Sequence, residues 1–303
     1  MLSIEAVGLI LIFTEGAMAI ILNTCIVAIN SKRVKTGTKL NLGELIQLVM
    51  GLGNITMRCS SAAQIIISTF WPTYITVREL SSTIIFLHLF HMCFSFWLTA
   101  CLCGYYCTSI IISNHRLFIW TKKILSSQMP LLLLLSGIGS FLLTFPLTFS
   151  LQIKSQQQDS GNSTSIVWVM SYNVYLQQLL NIVGCFLPSF CIFLSMISTV
   201  LSLVRHIQRM RNNEMGFASP KLHAHTSAIR TMLLFLTLSV VFYVCETLLY
   251  VEHGFDDPMT FIKLLIVTIF PTAEAAIIIQ ASPQLQITIL GWFCRVKSHN
   301  NDT

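Results

Sequence analysis

Seven long apolar runs constrain this chain more than any other feature. They cover about 7–29, 42–69, 83–112, 129–151, 173–203, 227–251 and 260–282. Each is long enough, at roughly 20 residues or more, for a helix to cross the hydrocarbon core of a bilayer. Lipid offers no hydrogen bonds to an open backbone, so such runs must satisfy their amides within the segment. The expected fold is an all-α membrane protein: a single seven-transmembrane helix bundle over residues 1–303, with no separate soluble domain. Charge agrees, since only 10% of residues are Asp, Glu, Lys or Arg, where soluble domains carry about a quarter. No basic segment precedes the first run, so it reads as a retained helix rather than a cleaved signal peptide.

The basic residues orient the bundle. Four lie in 30–41, three in 113–123, five in 205–230 and two in the tail, fourteen of the eighteen in the chain. Alternate loops hold them, so the positive-inside rule places the N-terminus outside and the C-terminus in the cytoplasm. The formal charge of +6 therefore has a topological cause and does not point to nucleic acid. The loop 152–167 falls on the outer side. It is polar and carries the sequon Asn162-Ser163-Thr164, which makes Asn162 the expected glycosylation site. Asn54-Ile55-Thr56 lies inside a span and Asn301-Asp302-Thr303 on the cytoplasmic side. Cys294 follows Trp292-Phe293 and is a candidate for palmitoylation.

Ionisable groups inside a membrane are costly and direct attention to function. Glu15, Arg58, Glu246 and Glu274 all fall within runs. Arg58 requires an acid, which either Glu15 or Glu274 can supply. An interhelical pair is the simpler role for Arg58 and Glu274. Glu246, near the outer end of the sixth run, suits either ligand contact or a solvated vestibule. In the third run His91, Phe94, Trp97 and Cys101 recur at helical spacing, and an aromatic face with a histidine suits a mixed ligand cavity. Phe242 and Glu246 stand four apart and can face the same cavity. Pro146, Pro188 and Pro271 interrupt the fourth, fifth and seventh runs, as packed bends or as hinges.

Catalytic and cofactor motifs do not emerge. There is no H-E-x-x-H, no G-x-S-x-G and no phosphate-cradling glycine loop, so the chain does not read as an enzyme and no cofactor is expected. The cysteines sit mostly in apolar runs, where a free thiol behaves as a small hydrophobe. Cys101, Cys103 and Cys107 lack histidine company, so a metal site is not expected. His206, His223 and His225 lie among bases and read as solvated loop residues.

Particular motifs carry a resemblance. Asn23-Thr24-Cys25-Ile26-Val27-Ala28-Ile29-Asn30 resembles the first-span pattern Asn-x-x-Ile-Val-x-x-Asn of the bitter taste receptor family (type 2 taste receptors). Phe118-Ile119-Trp120-Thr121-Lys122 resembles its Phe-Leu-Trp-Leu-Lys after the third span. Ser202-Leu203-Val204-Arg205-His206, with Arg209-Met210, resembles the end of its fifth span. Gly216, Pro220, Ala224-His225, Ala228, Arg230 and Phe235-Leu236 follow its loop into the sixth span, and Phe270-Pro271 with Ile277-Ile278-Ile279 and Leu285 its seventh. The common rhodopsin-like markers are missing, because His115-Arg116 and Ser282-Pro283 stand where Asp/Glu-Arg-Tyr and Asn-Pro-x-x-Tyr are usual. The chain also departs from the family: Asn54 stands where Arg is usual, Thr108-Ser109-Ile110-Ile111 replaces Leu-Lys-Ile-Ala, and Ala281-Ser282 replaces Gly-Asn. Ser219 stands where the family has Asp before proline. These departures mark a divergent member, and a non-mammalian vertebrate source fits them.

The resemblance implies a multi-pass G-protein-coupled receptor of the plasma membrane. It would detect bitter small molecules in an outer transmembrane cavity. It would activate a gustducin-like heterotrimeric G protein and raise intracellular calcium. By position it assigns ligand contact to Trp97, Cys101, Phe242 and Leu264, beside Glu246 and His91 from the residue reading. It places Arg205, His206, Arg209, His225, Arg230 and Lys122 on the G-protein-facing surface. A type 1 vomeronasal pheromone receptor is the related alternative. A transporter relaying ions through Arg58, Glu15 and Glu274 is another, but the sequence shows no internal repeat to favour it.

Overall fold

Each apolar run forms a helix because the backbone then closes its own hydrogen bonds away from water. The computed structural model describes residues 4–71, 74, 77–110, 116–150, 152–160, 163–171, 173–212, 220–251 and 258–291. Helix α1 spans Ile4–Lys35 and α2 Leu42–Phe70. Helix α3 spans Arg78–Ile110 and α4 Arg116–Phe149. Helix α5 starts as Val174–Leu180, passes through a π-helical turn at Asn181–Phe186 and continues as Leu187–Asn212. Helix α6 spans Pro220–Val251 and α7 Pro258–Ala281. A short helix α8, Pro283–Gly291, leaves α7 at a bend of 98°.

Among the described residues, five of these helices are long and apolar enough to cross a membrane, or six if the bent α7–α8 pair counts as one span. Helix α2 is the more polar member. Its Gln47, Asn54 and Arg58 are buried, so its polarity points into the bundle rather than towards lipid. Helix α4 shows the same inversion. Leu131, Leu134, Leu135, Ile138, Phe141, Leu142, Phe145 and Phe149 are exposed, while Ser140, Thr144 and Thr148 are buried. The two threonine hydroxyls donate back to their own helix, Thr144 to the Ser140 carbonyl at 2.8 Å and Thr148 to the Phe145 carbonyl at 2.7 Å. An apolar outside, with threonine hydroxyls bonded to their own helix inside, is the pattern of a helix solvated by lipid.

Helix α3 is central and touches α2, α4, α5 and α6, while contact between α1 and α7 closes the ring. Small residues allow the closest approaches. A Cβ added at Gly51 of α2 would come within 2.9 Å of Val27 Cγ2 on α1, and one at Gly43 within 2.9 Å of the Tyr105 ring. The α1–α2 turn has a residue-level cause. Gly37 adopts φ 77°, a conformation that glycine tolerates without Cβ strain. Asn41 then caps α2 by accepting from the Glu44 amide at 2.9 Å, and Glu44 Oε2 accepts from the Asn41 amide at 2.9 Å. That is a reciprocal capping box.

One segment differs from expectation. The sequence predicts a polar loop over 152–167, whereas Gln152–Ser160 (β1) and Ser163–Ser171 (β2) pair as an antiparallel hairpin from Gln152↔Ser171 to Ser160↔Ser163. The run Ile166-Val167-Trp168-Val169 in β2 has high strand propensity. A polar composition therefore concealed a strand pair.

Two apolar clusters stack along the bundle. One joins Leu89, Met92, Cys93, Phe96, Phe242, Val267 and Phe270 towards the hairpin end. The other joins Ile26, Ile46, Met50, Leu98, Leu102, Phe235 and Ile278 towards the end rich in bases. Buried Asn23, Asn54, Ser95, Thr99 and Glu274 lie at chain positions between them and form a polar layer across the middle.

Candidate functional site

The polar layer is built from four helices. Glu274 lies three residues beyond Pro271 on α7 and is 0% exposed. Ser95 and Thr99 stand four apart on α3, so their hydroxyls share a face. The Ser95 hydroxyl lies 2.8 and 2.9 Å from the two Glu274 oxygens, and the Thr99 hydroxyl donates to Oε1 at 2.7 Å. From α2, Asn54 Nδ2 donates to Glu274 Oε2 at 2.8 Å and to Asn23 Oδ1 at 3.1 Å. From α1, Asn23 Nδ2 donates to the Ala19 carbonyl at 2.8 Å and reaches the Pro271 carbonyl at 3.4 Å.

Arg58 finds Glu15 rather than Glu274. Its Nη2 lies 3.1 Å from Glu15 Oε2, with 6% and 11% of the two side chains exposed. The Thr272 hydroxyl also donates to Glu15, which ties α1, α2 and α7 together beside the polar layer. The two choices left open by the sequence thus resolve into two separate networks.

Towards the hairpin end, Phe242 packs in an aromatic trio. Its ring centroid lies 5.5 Å from Phe96 and 4.5 Å from Phe270, and the Phe96 and Phe270 rings stack at 5.5 Å. Glu246, one turn further along α6, is buried and lies within electrostatic reach of Cys93 and Cys185. The π-helical turn supplies part of this wall. Pro188 has no N–H to give the Gly184 carbonyl, and the loss falls where the helix widens. Gly184 lets α5 approach so closely that an added Cβ would collide with Cys93 Sγ.

The expected aromatic face of α3 is divided. His91 is buried, its Nδ1 donates to the Leu87 carbonyl at 2.6 Å, and its ring faces Gly53 of α2. Phe94 instead approaches Gly137 of α4 and stacks on Phe90 at 5.7 Å. Trp97 and Cys101 are half-buried, and Cys101 lies against Ser136 of α4. The structure therefore brings Phe242 together with Phe96 and Phe270, and sets His91, Phe94 and Cys101 against different neighbours. The Leu264 side chain lies outside the described residues.

At the other end Arg205 on α5 and Arg230 on α6 are exposed, and α5 packs against α6. His206, Arg209, His225 and Lys122 belong to α5, α6 and α4, but their side chains lie outside the described residues. Asn162 and Cys294 also lie outside them. Arg33 pairs with Glu44 and its Nη1 donates to Gln284 Oε1 of α8 at 3.0 Å, linking the start of α2 to the end of the bundle.

Sequence reading missed Ser95 and Thr99 as partners of Glu274. The signal was present as two hydroxyl residues four apart in an apolar run, but such pairs ordinarily bond their own helix backbone. Only tertiary placement shows that both turn towards α7.

Comparison with known proteins places the chain in context. The profile of the family described as Taste receptor protein (TAS2R) matches residues 1–297. The chain is 23% identical over 286 residues to taste receptor type 2 member 40 of Gallus gallus, covering 92% of this chain and 91% of that protein. It is 26% identical over 304 residues to taste receptor type 2 member 9 of Homo sapiens, covering 95% and 93%. A shorter match to taste receptor type 2 member 143 of Rattus norvegicus reaches 29% over 151 residues, covering 48% of this chain and 51% of that protein.

Proposed function

Since the chain belongs to the taste receptor family (TAS2R), the bitter taste receptors, we propose that it detects bitter small molecules within the bundle near the hairpin and activates a heterotrimeric G protein at the opposite end. It is a multi-pass protein of the plasma membrane with the helical architecture of a G-protein-coupled receptor. The family match over nearly the whole chain carries the reading. In the proposed topology the N-terminus and hairpin lie outside, with Asn162 glycosylated, and the C-terminus is cytoplasmic. The bias of basic residues supports that orientation.

The proposed ligand region draws on Trp97, Cys101, Phe242, Glu246, Leu264 and His91. Buried aromatic surface beside one acidic group supports it, because an amphipathic ligand needs area for affinity and a polar anchor for orientation. Glu246 is the anchor for a basic or hydroxylated ligand. Arg205, His206, Arg209, His225, Arg230 and Lys122 form the proposed contact for a gustducin-like G protein. Agonist binding selects a conformer in which the ends of α5 and α6 are rearranged, to the extent of its differential affinity for that state.

The test is a calcium assay in cells supplied with a gustducin-like G protein, screened against a broad bitter panel with surface staining as control. Saturable responses that need the G protein are expected. Silence across the panel from a receptor present at the surface would overturn the reading.

A further inference from the structure

We propose that the polar layer around Glu274 is a binding site for a monovalent alkali cation, sodium in the first instance. Glu274 is fully buried, and its three partners Asn54, Ser95 and Thr99 are all neutral. The neighbouring guanidinium, Arg58, is committed to Glu15. Among the described residues no basic side chain pairs with Glu274. A carboxylate held in the middle of a membrane bundle by neutral groups alone is costly, and a bound cation removes that cost.

The donor set is the second observation. Two carboxylate oxygens and the Ser95 and Thr99 hydroxyls meet from α7 and α3, and Asn23 Oδ1 of α1 accepts from the same Asn54 amide that bonds Glu274. These are hard oxygen ligands, the type that hard cations select. Each hydroxyl now directs its proton at the carboxylate. Each can instead donate to the carbonyl four residues back on α3, as the Thr144 and Thr148 hydroxyls donate within α4, and offer its lone pairs inward. Asn54 can rotate its amide to present Oδ1 in place of Nδ2.

Charge balance sets the valence. One carboxylate and one monovalent ion sum to zero. A divalent ion would leave a net positive charge between two apolar clusters, with no second acid in the layer to offset it. The cation would fasten α1, α2, α3 and α7 at one point, so its occupancy would favour the arrangement in which these helices converge.

The experiment measures thermal unfolding of the purified full-length receptor in sodium chloride and in N-methyl-D-glucamine chloride at equal ionic strength. A midpoint that rises saturably with sodium is expected. Glu274→Gln keeps side-chain shape and hydrogen bonding but removes the charge, and its midpoints should coincide in the two salts. A matching gain in potassium chloride would support an alkali-cation site without sodium selectivity. If Glu274→Gln does not fold, Ser95→Ala replaces it. That change should raise the sodium concentration for half-maximal effect about tenfold, and an unmoved titration would count against the site. Identical wild-type midpoints in sodium and in the organic salt would overturn the proposal. So would a sodium effect that survives Glu274→Gln undiminished. Full stabilisation by acid alone, with nothing added by sodium, would assign the layer to a proton instead.

Discussion

Arg58 on α2 and Glu15 on α1 form a largely buried ion pair, 3.1 Å from Nη2 to Oε2, with Thr272 of α7 donating to the same carboxylate. Removing one partner of such a pair leaves a charge without compensation. Arg58→Met is predicted to destabilise the receptor by about 3–5 kcal/mol. Arg58→Met combined with Glu15→Leu should recover much of the loss. Thermal unfolding of the two single variants and the double variant gives the coupling, and strict additivity would show that the pair contributes nothing as a pair.

Gly51 tests the seam between α1 and α2. A Cβ there lies 2.9 Å from Val27 Cγ2 and 3.4 Å from the Asn23 carbonyl. Valine is stiff about χ1 and cannot swing away freely, so Gly51→Ala should cost about 1–3 kcal/mol by overpacking. Val27→Ala introduced beside it should restore the midpoint. Equal stability of Gly51→Ala and wild type would mean that the helices separate without strain.

Phe242 separates packing from ligand contact. Its contacts with Phe96 and Phe270 predict that Phe242→Ala loses about 3–5 kcal/mol of stability, whatever the agonist. Phe242→Leu fills more of the space and should fold. A shifted agonist curve for Phe242→Leu at equal surface level would add ligand contact to its structural role, and an unshifted curve would confine it to packing.

Asn162 follows directly from the proposed topology. Asn162→Gln should increase mobility on a denaturing gel and reduce delivery to the cell surface. Unchanged mobility would show that the sequon is not used, and would withdraw one support for an external hairpin.

The helical architecture was legible because lipid makes the rule simple: a long apolar run must be a helix. Helix α2 was legible too, despite Gln47, Asn54 and Arg58, because their neighbours remain apolar across the whole run. Arg58 announced that it needed an acid, but choosing Glu15 over Glu274 required the packing of α1 on α2. The face of α3 was harder to read. Helical spacing grouped His91 with Phe94, yet a central helix has neighbours on every side, and one turn points His91 to α2 and Phe94 to α4. Periodicity gives direction relative to the helix axis and cannot say which helix stands there. The hairpin was hidden for the opposite reason, since the glutamine-rich β1 carries no apolar alternation and takes its pairing from β2.

The bend of 98° between α7 and α8 converts one kind of motion into another. Helix α8 extends roughly 13 Å at 1.5 Å per residue, and it leaves the α7 axis almost at a right angle. A rotation of α7 by about 10° would therefore carry the far end of α8 sideways by about 2 Å, while the core around α7 moves by much less. Ile287 and Leu290 are exposed on α8, at 71% and 62%, so the moving tip is greasy and would drag against whatever surface it rests on. Arg33, bonded to Gln284 close to the pivot, would limit the travel of that crank.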